Sequence, residues 1–231
     1  LYRRAMAAPD RAYAFAKARI LDGRFAGGAL ITEGNVAAAL GVSRTPVREA
    51  FSRLESEGLL RVYPKRGALV VPVSAAEVES VMETRVLVEQ FAVEKVIRLE
   101  TEMGSGPADA IGRQERFVER DDPRGFVEAD HEFHRLFVAA ADNIILLQLH
   151  DSMRDRQSRM GLTALARDDA RTPQVLDEHR ALAEAVQARN AEVARTIVQT
   201  HLHATLALLR DVSSSVGGRR HGSRARTRGS G

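Results

Sequence analysis

The stretch GVSRTPVREAFSRLESEGLL at residues 41–60 constrains the fold of this chain most strongly. It predicts a helix from about Arg44 to Glu57, opened by Ser43 and ended by Gly58. One face of this helix is apolar at helical spacing, with Val47, Ala50, Phe51 and Leu54. Arg44 and Arg48 are one turn apart on a different, outward face. Exposed arginines beside a helix N-terminus favour a phosphate-bearing partner, although a plain solvated helix face has the same pattern.

The flanking residues predict two further helices and a β-hairpin. Residues 9–22 have helical spacing, and Thr32 opens a short helix that stops at Gly41. Two β-type runs, LLRVY and ALVVP, are joined by residues 64–67 and predict a hairpin with Lys65 and Arg66 at its tip. Three helices followed by a basic hairpin predict a winged helix-turn-helix over residues 1–73. Its arginines could read guanine or contact phosphates in a major groove, and the hairpin tip could reach the DNA backbone or the minor groove.

The rest of the chain predicts a second, all-helical domain over residues 74–213. Ser74 and Glu77 fit a capping box, and turn signals divide the segment into roughly six helices with no strand. The overall fold class is therefore mainly α, a winged helix-turn-helix followed by a helical bundle. We expect residues 214–231 to be a disordered tail, because its last part, GGRRHGSRARTRGSG, is rich in arginine and has no apolar residue that could anchor it.

Charge separates the two predicted domains. Residues 1–73 contain 12 Lys/Arg against 6 Asp/Glu, whereas residues 74–216 contain 17 against 25. A basic first part beside an acidic body indicates different partners, with nucleic acid for the basic part. There is no cysteine, which excludes disulfides and thiolate metal sites. No apolar run has the length of a membrane span and no signal peptide is apparent, so we expect a cytoplasmic protein with no membrane partner.

Histidines and an aspartate in the second domain suggest a metal site. Asp130 and His134 are four residues apart on a predicted helix, a spacing from which one ion can be chelated. His179 and His201 lie on later amphipathic helices. Spacing alone does not select these four residues, because a lone histidine on a helix is more often a hydrogen-bonded structural residue. The remaining histidines, 131, 150, 203 and 221, are interpreted as surface or packing residues.

Most of the first predicted domain resembles a known family. The run from ILDGRF through GVSRTPVREA to GLL and RGALV, over about residues 18–72, is similar to the DNA-binding domain of GntR-type bacterial transcription regulators. The resemblance implies DNA contact by Ser43, Arg44, Thr45, Arg48 and the wing glycine Gly67. Gly34 and Asn35 stand where the family usually has charged or helix-favouring residues.

Residues 74–213 resemble the FCD effector domain of the FadR-type subgroup, above all in EADHEFHRLFVAAADN and EHRALAEAVQARN. The resemblance implies a metal held by Asp130, His134, His179 and His201, with zinc expected first and nickel, manganese or iron as alternatives. It also implies that Arg85 points into a cavity beside the metal and binds the carboxylate of an effector. From the residues alone, a surface ion pair between Arg85 and Glu89 explains that arginine equally well.

These features lead us to expect a homodimeric, ligand-responsive repressor, not an enzyme. Its partners would be a double-stranded DNA operator and a small organic acid that relieves repression. Two alternatives remain open at this point. A His/Asp metal site with an open position could activate water or oxygen in an enzyme, or the metal could be purely structural.

Overall fold

The computed structural model describes residues 6–166, 168 and 170–217, with side chains as far as residue 210. The described residues form ten helices and three short strands. In chain order these are α1 (Ala8–Leu21), β1 (Leu30–Ile31), α2 (Glu33–Leu40), α3 (Arg44–Ser56), β2 (Leu60–Tyr63), β3 (Gly67–Val70), α4 (Ala75–Arg98), α5 (Gly106–Glu119), α6 (Pro123–Ala140), α7 (Ile144–Ser152), α8 (Arg154–Leu165), α9 (Arg171–Gln187) and α10 (Ala191–Gly217). This is the mainly helical architecture that the sequence predicts, a winged helix-turn-helix followed by a helical bundle.

The first three helices and the small sheet share one hydrophobic cluster. Its centre is the predicted apolar face of α3, formed by Val47, Ala50, Phe51 and Leu54, each at most 1% exposed. The wing is the antiparallel pair β2–β3, and β1 adds a third strand with the order β1-β3-β2. The sequence analysis did not predict β1, because two residues are too few for an alternating pattern and their partner strand lies far along the chain. α2 starts at Glu33, where the Thr32 side chain accepts a hydrogen bond from the Asn35 amide.

The turn of the wing depends on two backbone conformations. Pro64 and Lys65 occupy the centre of the turn, with Lys65 at φ 64°, and the Arg66 amide donates to the Tyr63 carbonyl at 3.0 Å. Gly67 has φ 114°, and a Cβ at this position would overlap the carbonyl oxygen of Ile31 in β1. Gly67 is therefore needed to let β1 and β3 approach each other, whatever else it contacts.

The described part of the second domain contains seven helices, α4 to α10, around a second hydrophobic cluster. The expectation of roughly six helices missed the break between α7 and α8. That break falls at Met153, whose amide donates to the His150 carbonyl at 3.1 Å. No glycine or proline stands at this break, so the sequence has no helix-breaking signal there. The Met153 side chain is buried in the core, and we attribute the end of α7 to this packing.

The ends of the bundle differ from the prediction in two details. The Ser74 side chain caps α4 as expected, accepting from the Glu77 amide, but the Glu77 carboxylate binds Arg156 at 2.9 Å instead of completing the capping box. A charge-assisted bond to arginine is the stronger of the two contacts. α10 continues to Gly217, past the predicted boundary at residue 213, because the first glycine pair comes only at residues 217–218. The rest of the predicted tail and His221 lie outside the described residues.

None of the helices that the structure describes is long and apolar enough to cross a bilayer.

Candidate DNA-binding surface and metal centre

The predicted DNA-contacting residues of α3 lie together on one exposed surface. Ser43 is the N-cap residue of α3, but its hydroxyl makes no capping hydrogen bond, so the oxygen is available to a partner. Arg44, Thr45 and Arg48 are exposed on the first turns of the same helix. The Arg44 guanidinium lies beside Gly34 of α2, 3.6 Å from the position that a Cβ would occupy, which is ordinary van der Waals distance.

Arg48 is held by an acidic neighbour that the sequence analysis did not identify. Its Nε and Nη2 donate to the two carboxylate oxygens of Glu33 at 2.9 and 3.0 Å. This two-pronged pair raises the pKa of Arg48 and orients its guanidinium on the exposed side of α3. Arg48, Arg44 and the exposed wing residues Lys65 and Arg66 line one groove of about 850 Å³ between α2, α3 and the wing.

The four predicted metal ligands come together from three helices. α6 contributes Asp130 and His134, α9 contributes His179 and α10 contributes His201, and their candidate ligand atoms all lie within 4.8 Å of one another. Asp130 Oδ1 is 3.5 Å from His179 Nε2 and 3.9 Å from His134 Nε2. Ligands at about 2.1 Å from a tetrahedrally coordinated ion stand about 3.4 Å apart, so this cluster has the dimensions of a metal site.

Each of the three imidazoles is braced through its Nδ1 by a residue that the sequence analysis missed. His134 Nδ1 lies 2.8 Å from Glu89 of α4, His179 Nδ1 lies 2.9 Å from Gln114 of α5, and His201 Nδ1 lies 2.6 Å from Glu178 of α9. The hydrogen bonds to Gln114 and Glu178 select the tautomers of His179 and His201 that leave Nε2 free to bind a metal, whereas the contact of His134 with Glu89 is a short ion-pair distance. The Nε2 atoms of His134 and His179 are buried and have no hydrogen-bond partner among the described residues, which is the state expected of metal ligands.

Burial changes the pKa values of two candidate ligands, His179 and His201, and of Glu178 beside them. Desolvation, helped by the neighbouring imidazoles, lowers the pKa of His179 well below its ordinary value, and desolvation also lowers that of His201. Burial alone would raise the pKa of Glu178, but hydrogen bonds from His201 and Arg171 outweigh it and lower the pKa to about 2. The lowered pKa values of His179 and His201 favour their neutral imidazole forms, which can accept a divalent cation without first losing a proton.

Gln114 offers a test of the bracing that does not touch a ligand. Replacing Gln114 by leucine should lower zinc affinity by about 10- to 100-fold, because the Nδ1–H of His179 would be left buried without an acceptor. A competition titration against a zinc chelator measures this change, with Glu115→Gln, an exposed neighbour on α5, as the control. Unchanged zinc affinity in the leucine variant would show that Gln114 does not orient His179.

Arg85 does pair with Glu89, as the sequence suggested, but the pair is buried and not at the surface. The guanidinium Nε donates to Glu89 at 2.7 Å, and both side chains are less than 8% exposed. Burial alone would raise the pKa of Glu89, but the Arg85 charge and His134 outweigh it and lower the pKa well below its ordinary range. The Nη2 atom of Arg85 has no hydrogen-bond partner among the described residues. Arg85 also lines a cavity of about 40 Å³ together with Asp130 and His201. The same side chain therefore pairs with Glu89 and faces the cavity, so the two interpretations of Arg85 do not exclude each other.

Two of the other histidines also lie in the core. The rings of His131 and His150 stack at a centroid distance of 4.9 Å and an interplanar angle of 17°, which agrees with their interpretation as packing residues. Desolvation lowers the pKa of His131 to about 4. Asp151 lies near both rings, but it is already bound by Arg135 through both oxygens. Two nearly parallel rings cannot both point their nitrogen lone pairs at one ion, so this group is not a second metal site. His203 is exposed, as expected.

The sequence and structure are similar to known proteins over both halves. Residues 9–70 match the family of bacterial regulatory proteins described as gntR family, and residues 80–204 match the FCD domain. An HTH-type transcriptional regulator of Bacillus subtilis (strain 168), YdhC, is 30% identical, with 81% of this chain and 84% of the relative aligned. A D-xylose utilization operon transcriptional repressor of Paenarthrobacter nicotinovorans is 29% identical over 81% of this chain and 82% of its own length. The crystal structure of a GntR transcriptional regulator from Rhodococcus sp. RHA1 covers 92% of this chain and 99% of its own, at 25% identity and a TM-score of 0.70.

Proposed function

Because the chain belongs to the GntR family of bacterial regulatory proteins and contains an FCD domain, we propose that it is a transcriptional repressor released from its operator by a small organic acid. The acid binds beside a metal ion in the helical domain. One observation supports this proposal above all others: three braced imidazoles and Asp130 converge beside a cavity that Arg85 also lines. We assign DNA binding to residues 1–73 and effector binding to residues 74–213.

The DNA-binding part of the proposal uses the exposed surface of α3 and the wing. Ser43, Arg44, Thr45 and Arg48 enter the major groove at the N-terminal end of α3. Lys65, Arg66 and the backbone of Gly67 contact phosphates or the minor groove from the wing. Since the proposed operator is part of the bacterial chromosome, the protein would bind it in the cytoplasm. The resulting affinity depends strongly on salt, because each phosphate contact releases counterions.

The metal part assigns Asp130, His134, His179 and His201 as ligands. Three imidazoles and one carboxylate suit zinc, with nickel, manganese or iron as alternatives. An ion held by all four residues would bind a carboxylate oxygen only at a fifth or sixth coordination position, where it would act as a Lewis acid. Arg85 lies at the same cavity and holds the carboxylate through Nη2, which has no hydrogen-bond partner within the described part of the chain.

The assembly is proposed to be a homodimer formed through α4 and α7. Five large apolar side chains on these adjacent helices are 41% to 72% exposed: Leu87, Phe91, Ile144, Ile145 and Leu149. A patch of this kind fits a second copy of the same chain, since a two-fold axis would bring both copies' patches together and present two recognition helices to a two-fold operator.

Charge placed in this patch should separate the dimer. We expect the Leu87→Glu/Ile145→Glu double variant to sediment as a monomer at concentrations at which the wild type is dimeric, because four carboxylates would be desolvated in the interface. Val193→Glu, which changes another exposed apolar residue, is the control. A dimeric double variant in analytical ultracentrifugation would place the interface elsewhere.

α8 is the element that can couple the effector cavity to the DNA-binding part. Gln157 and Met160 line the cavity from one side of α8. On another side, Asp155 binds Lys17 of α1 at 2.6 Å, and Arg159 donates to the Val71 carbonyl at 2.6 Å, just after the wing. A ligand that displaces α8 therefore changes contacts with α1 and with the segment after β3, which favours a different orientation of the DNA-binding part.

Breaking the Asp155 contact should weaken this coupling without removing either binding site. For Asp155→Asn we expect a several-fold smaller acid-induced loss of operator affinity than the 5- to 150-fold typical of allosteric proteins, with metal content unchanged. Fluorescence anisotropy with labelled operator, with and without acid, measures the change. Asp177→Asn is the control, because Asp177 is at the surface and Arg180 is its partner among the described residues. Full acid response in Asp155→Asn would exclude this contact from the coupling.

The two alternatives are less well supported. GntR-family proteins are transcription regulators, not enzymes, so the family assignment removes the reason to expect turnover. A purely structural metal would not need the cavity beside it, nor a buried arginine with a free nitrogen.

The proposal is tested by selecting an operator from a random DNA library and measuring its release. Zinc-loaded protein bound to the selected operator is titrated with small carboxylic acids in an anisotropy assay. We expect at least one acid to lower operator affinity, and only when zinc is present. Operator binding that no acid changes, in zinc-loaded and chelated protein alike, would contradict ligand-induced release.

A further inference from the structure

Helix α4 joins the proposed dimer patch to the residues that brace the metal cluster. Leu87 and Phe91 are exposed on its outer side and belong to the patch. Between them in sequence, Glu89 is 2% exposed on the inner side and lies 2.8 Å from Nδ1 of the proposed ligand His134. One turn of α4 therefore reaches both the patch and the outer shell of the metal cluster.

Helix α7 reaches the same carboxylate through His150. Of the nine residues of α7, all of which the structure describes, His150 alone is fully buried. Its Nε2 lies 3.7 Å from Oε1 of Glu89. The outer side of α7 carries the patch residues Ile144, Ile145 and Leu149. The position of α7 against α4 therefore depends on how closely His150 and Glu89 approach each other.

The ring of His150 has an unusual environment. Both of its nitrogens are buried and have no hydrogen-bond partner among the described residues. One of them carries a proton, and a buried donor without an acceptor costs free energy. Asp151 Oδ1 lies 3.9 Å from Nδ1, but Arg135 already binds both oxygens of that carboxylate. An approach of about 0.5 Å would bring Nε2 and Glu89 within hydrogen-bond distance.

An ion on His134 would determine how Glu89 is shared between the two histidines. A cation on Nε2 withdraws electrons from the imidazole, so an N–H on the opposite nitrogen becomes a stronger donor to its carboxylate partner. Glu89 is then held at His134. Without the ion this contact weakens, and His150 and Glu89 move together, which shifts α7 against α4. Since the patch spans both helices, the shift changes its shape and lowers its fit to a second copy.

Resting on the metal site and the dimer of the proposed function, we propose that metal binding strengthens the homodimer. His150 is the positioning residue that links the two. The coupling is reciprocal, so a protomer in the dimer binds the metal more tightly than a monomer does. We expect a factor of about five per site, at the lower end of allosteric couplings. Because a dimer has two such sites, the dissociation constant of the dimer should rise about 25-fold when both ions are removed.

Sedimentation equilibrium of the full-length protein measures this dependence. The protein is studied over a range of concentrations, zinc-loaded and after chelation and removal of the chelator, with circular dichroism as the check on folding. We expect the dimer dissociation constant to be about 25-fold higher in the chelated protein. Competition with a chelator should also show about five-fold weaker zinc binding by the monomeric Leu87→Glu/Ile145→Glu variant.

Substitutions of His150 test its role separately from metal binding. His150→Phe keeps an aromatic ring against His131 but removes both nitrogens. We expect this variant to bind zinc and to have the same dimer dissociation constant with and without it. In His150→Gln the amide nitrogen can take the place of Nε2, so the dependence on zinc should return. His203→Phe, at an exposed position of α10, is the control and should keep the wild-type dependence.

The outcomes separate this inference from the proposed function. Equal dimer dissociation constants in zinc-loaded and chelated wild type would overturn the inference and leave an acid-responsive repressor. Zinc dependence that persists in His150→Phe would also overturn it, because His150 would not be the link. A wild-type protein that binds no zinc would overturn the metal part of the proposed function together with the inference.

Discussion

Replacing His134 by alanine is expected to lower zinc affinity by more than about 100-fold. The change removes one of four ligands, and it also leaves Glu89 without the imidazole that its carboxylate contacts at 2.8 Å. Loss of an outer-shell partner alone typically costs 10- to 100-fold in affinity, and loss of a ligand should cost more. Zinc content after dialysis, followed by competition with a chelator of known affinity, measures the effect.

His203→Ala is the matched control for this prediction. His203 lies two residues after His201 on the same helix α10, but its side chain is exposed and points away from the cluster. Zinc content equal to that of the wild type is expected in this variant. Full zinc occupancy in purified His134→Ala would show that the ion is bound elsewhere.

Replacing Arg48 by alanine is expected to weaken operator binding by roughly 100-fold. Loss of one guanidinium contact to a base edge costs about ten-fold, and a two-fold dimer loses it at both half-sites. The fold should be unaffected, because the side chain is exposed and its partner Glu33 is at the surface. Anisotropy with the selected operator gives the affinity, and thermal unfolding checks the fold.

Arg180→Ala separates a specific contact from a general loss of positive charge. Arg180 is also an exposed arginine in a surface ion pair, but it lies on α9 in the helical domain. We expect it to retain operator affinity within about two-fold. If Arg48→Ala binds the operator as tightly as the wild type, Arg48 is not a DNA contact.

Helix α3 and the wing were predictable because their signals are local. The apolar spacing of Val47, Ala50, Phe51 and Leu54 sets the buried face of α3, and the hairpin residues are adjacent in sequence. β1 was not predictable, because its pairing with β3 depends on contacts between residues almost 40 positions apart. The ion pair between Glu33 and Arg48 was also missed, because the two residues are 15 positions apart on different helices.

The group of four candidate metal ligands was predicted only in part from spacing. The interval of four residues links Asp130 to His134, but the resemblance to the FCD domain was needed to add His179 and His201. The bracing residues Glu89, Gln114 and Glu178 lie on three different helices, so only the packed fold brings them to the imidazoles.

Two sequence signals could have identified part of this outer shell. Glu89 is an acidic residue one turn after Arg85 on a helix whose neighbouring residues are apolar, which indicates a buried pair. Glu178 directly precedes the predicted ligand His179. Arg171 gave no such signal, since its burial depends on contacts with Glu178 and α10.

The central claim is that a metal anchors a small acid effector, and a thermal-shift comparison tests it most directly. The full-length protein is melted with a panel of small carboxylic acids, once zinc-loaded and once after chelation and removal of the chelator. A ligand at 100 times its Kd should stabilise the native state by about 2.7 kcal/mol, which is a measurable rise in Tm. We predict that at least one acid raises the Tm of the zinc-loaded protein and has no effect on the chelated protein. Equal stabilisation with and without zinc would contradict the claim.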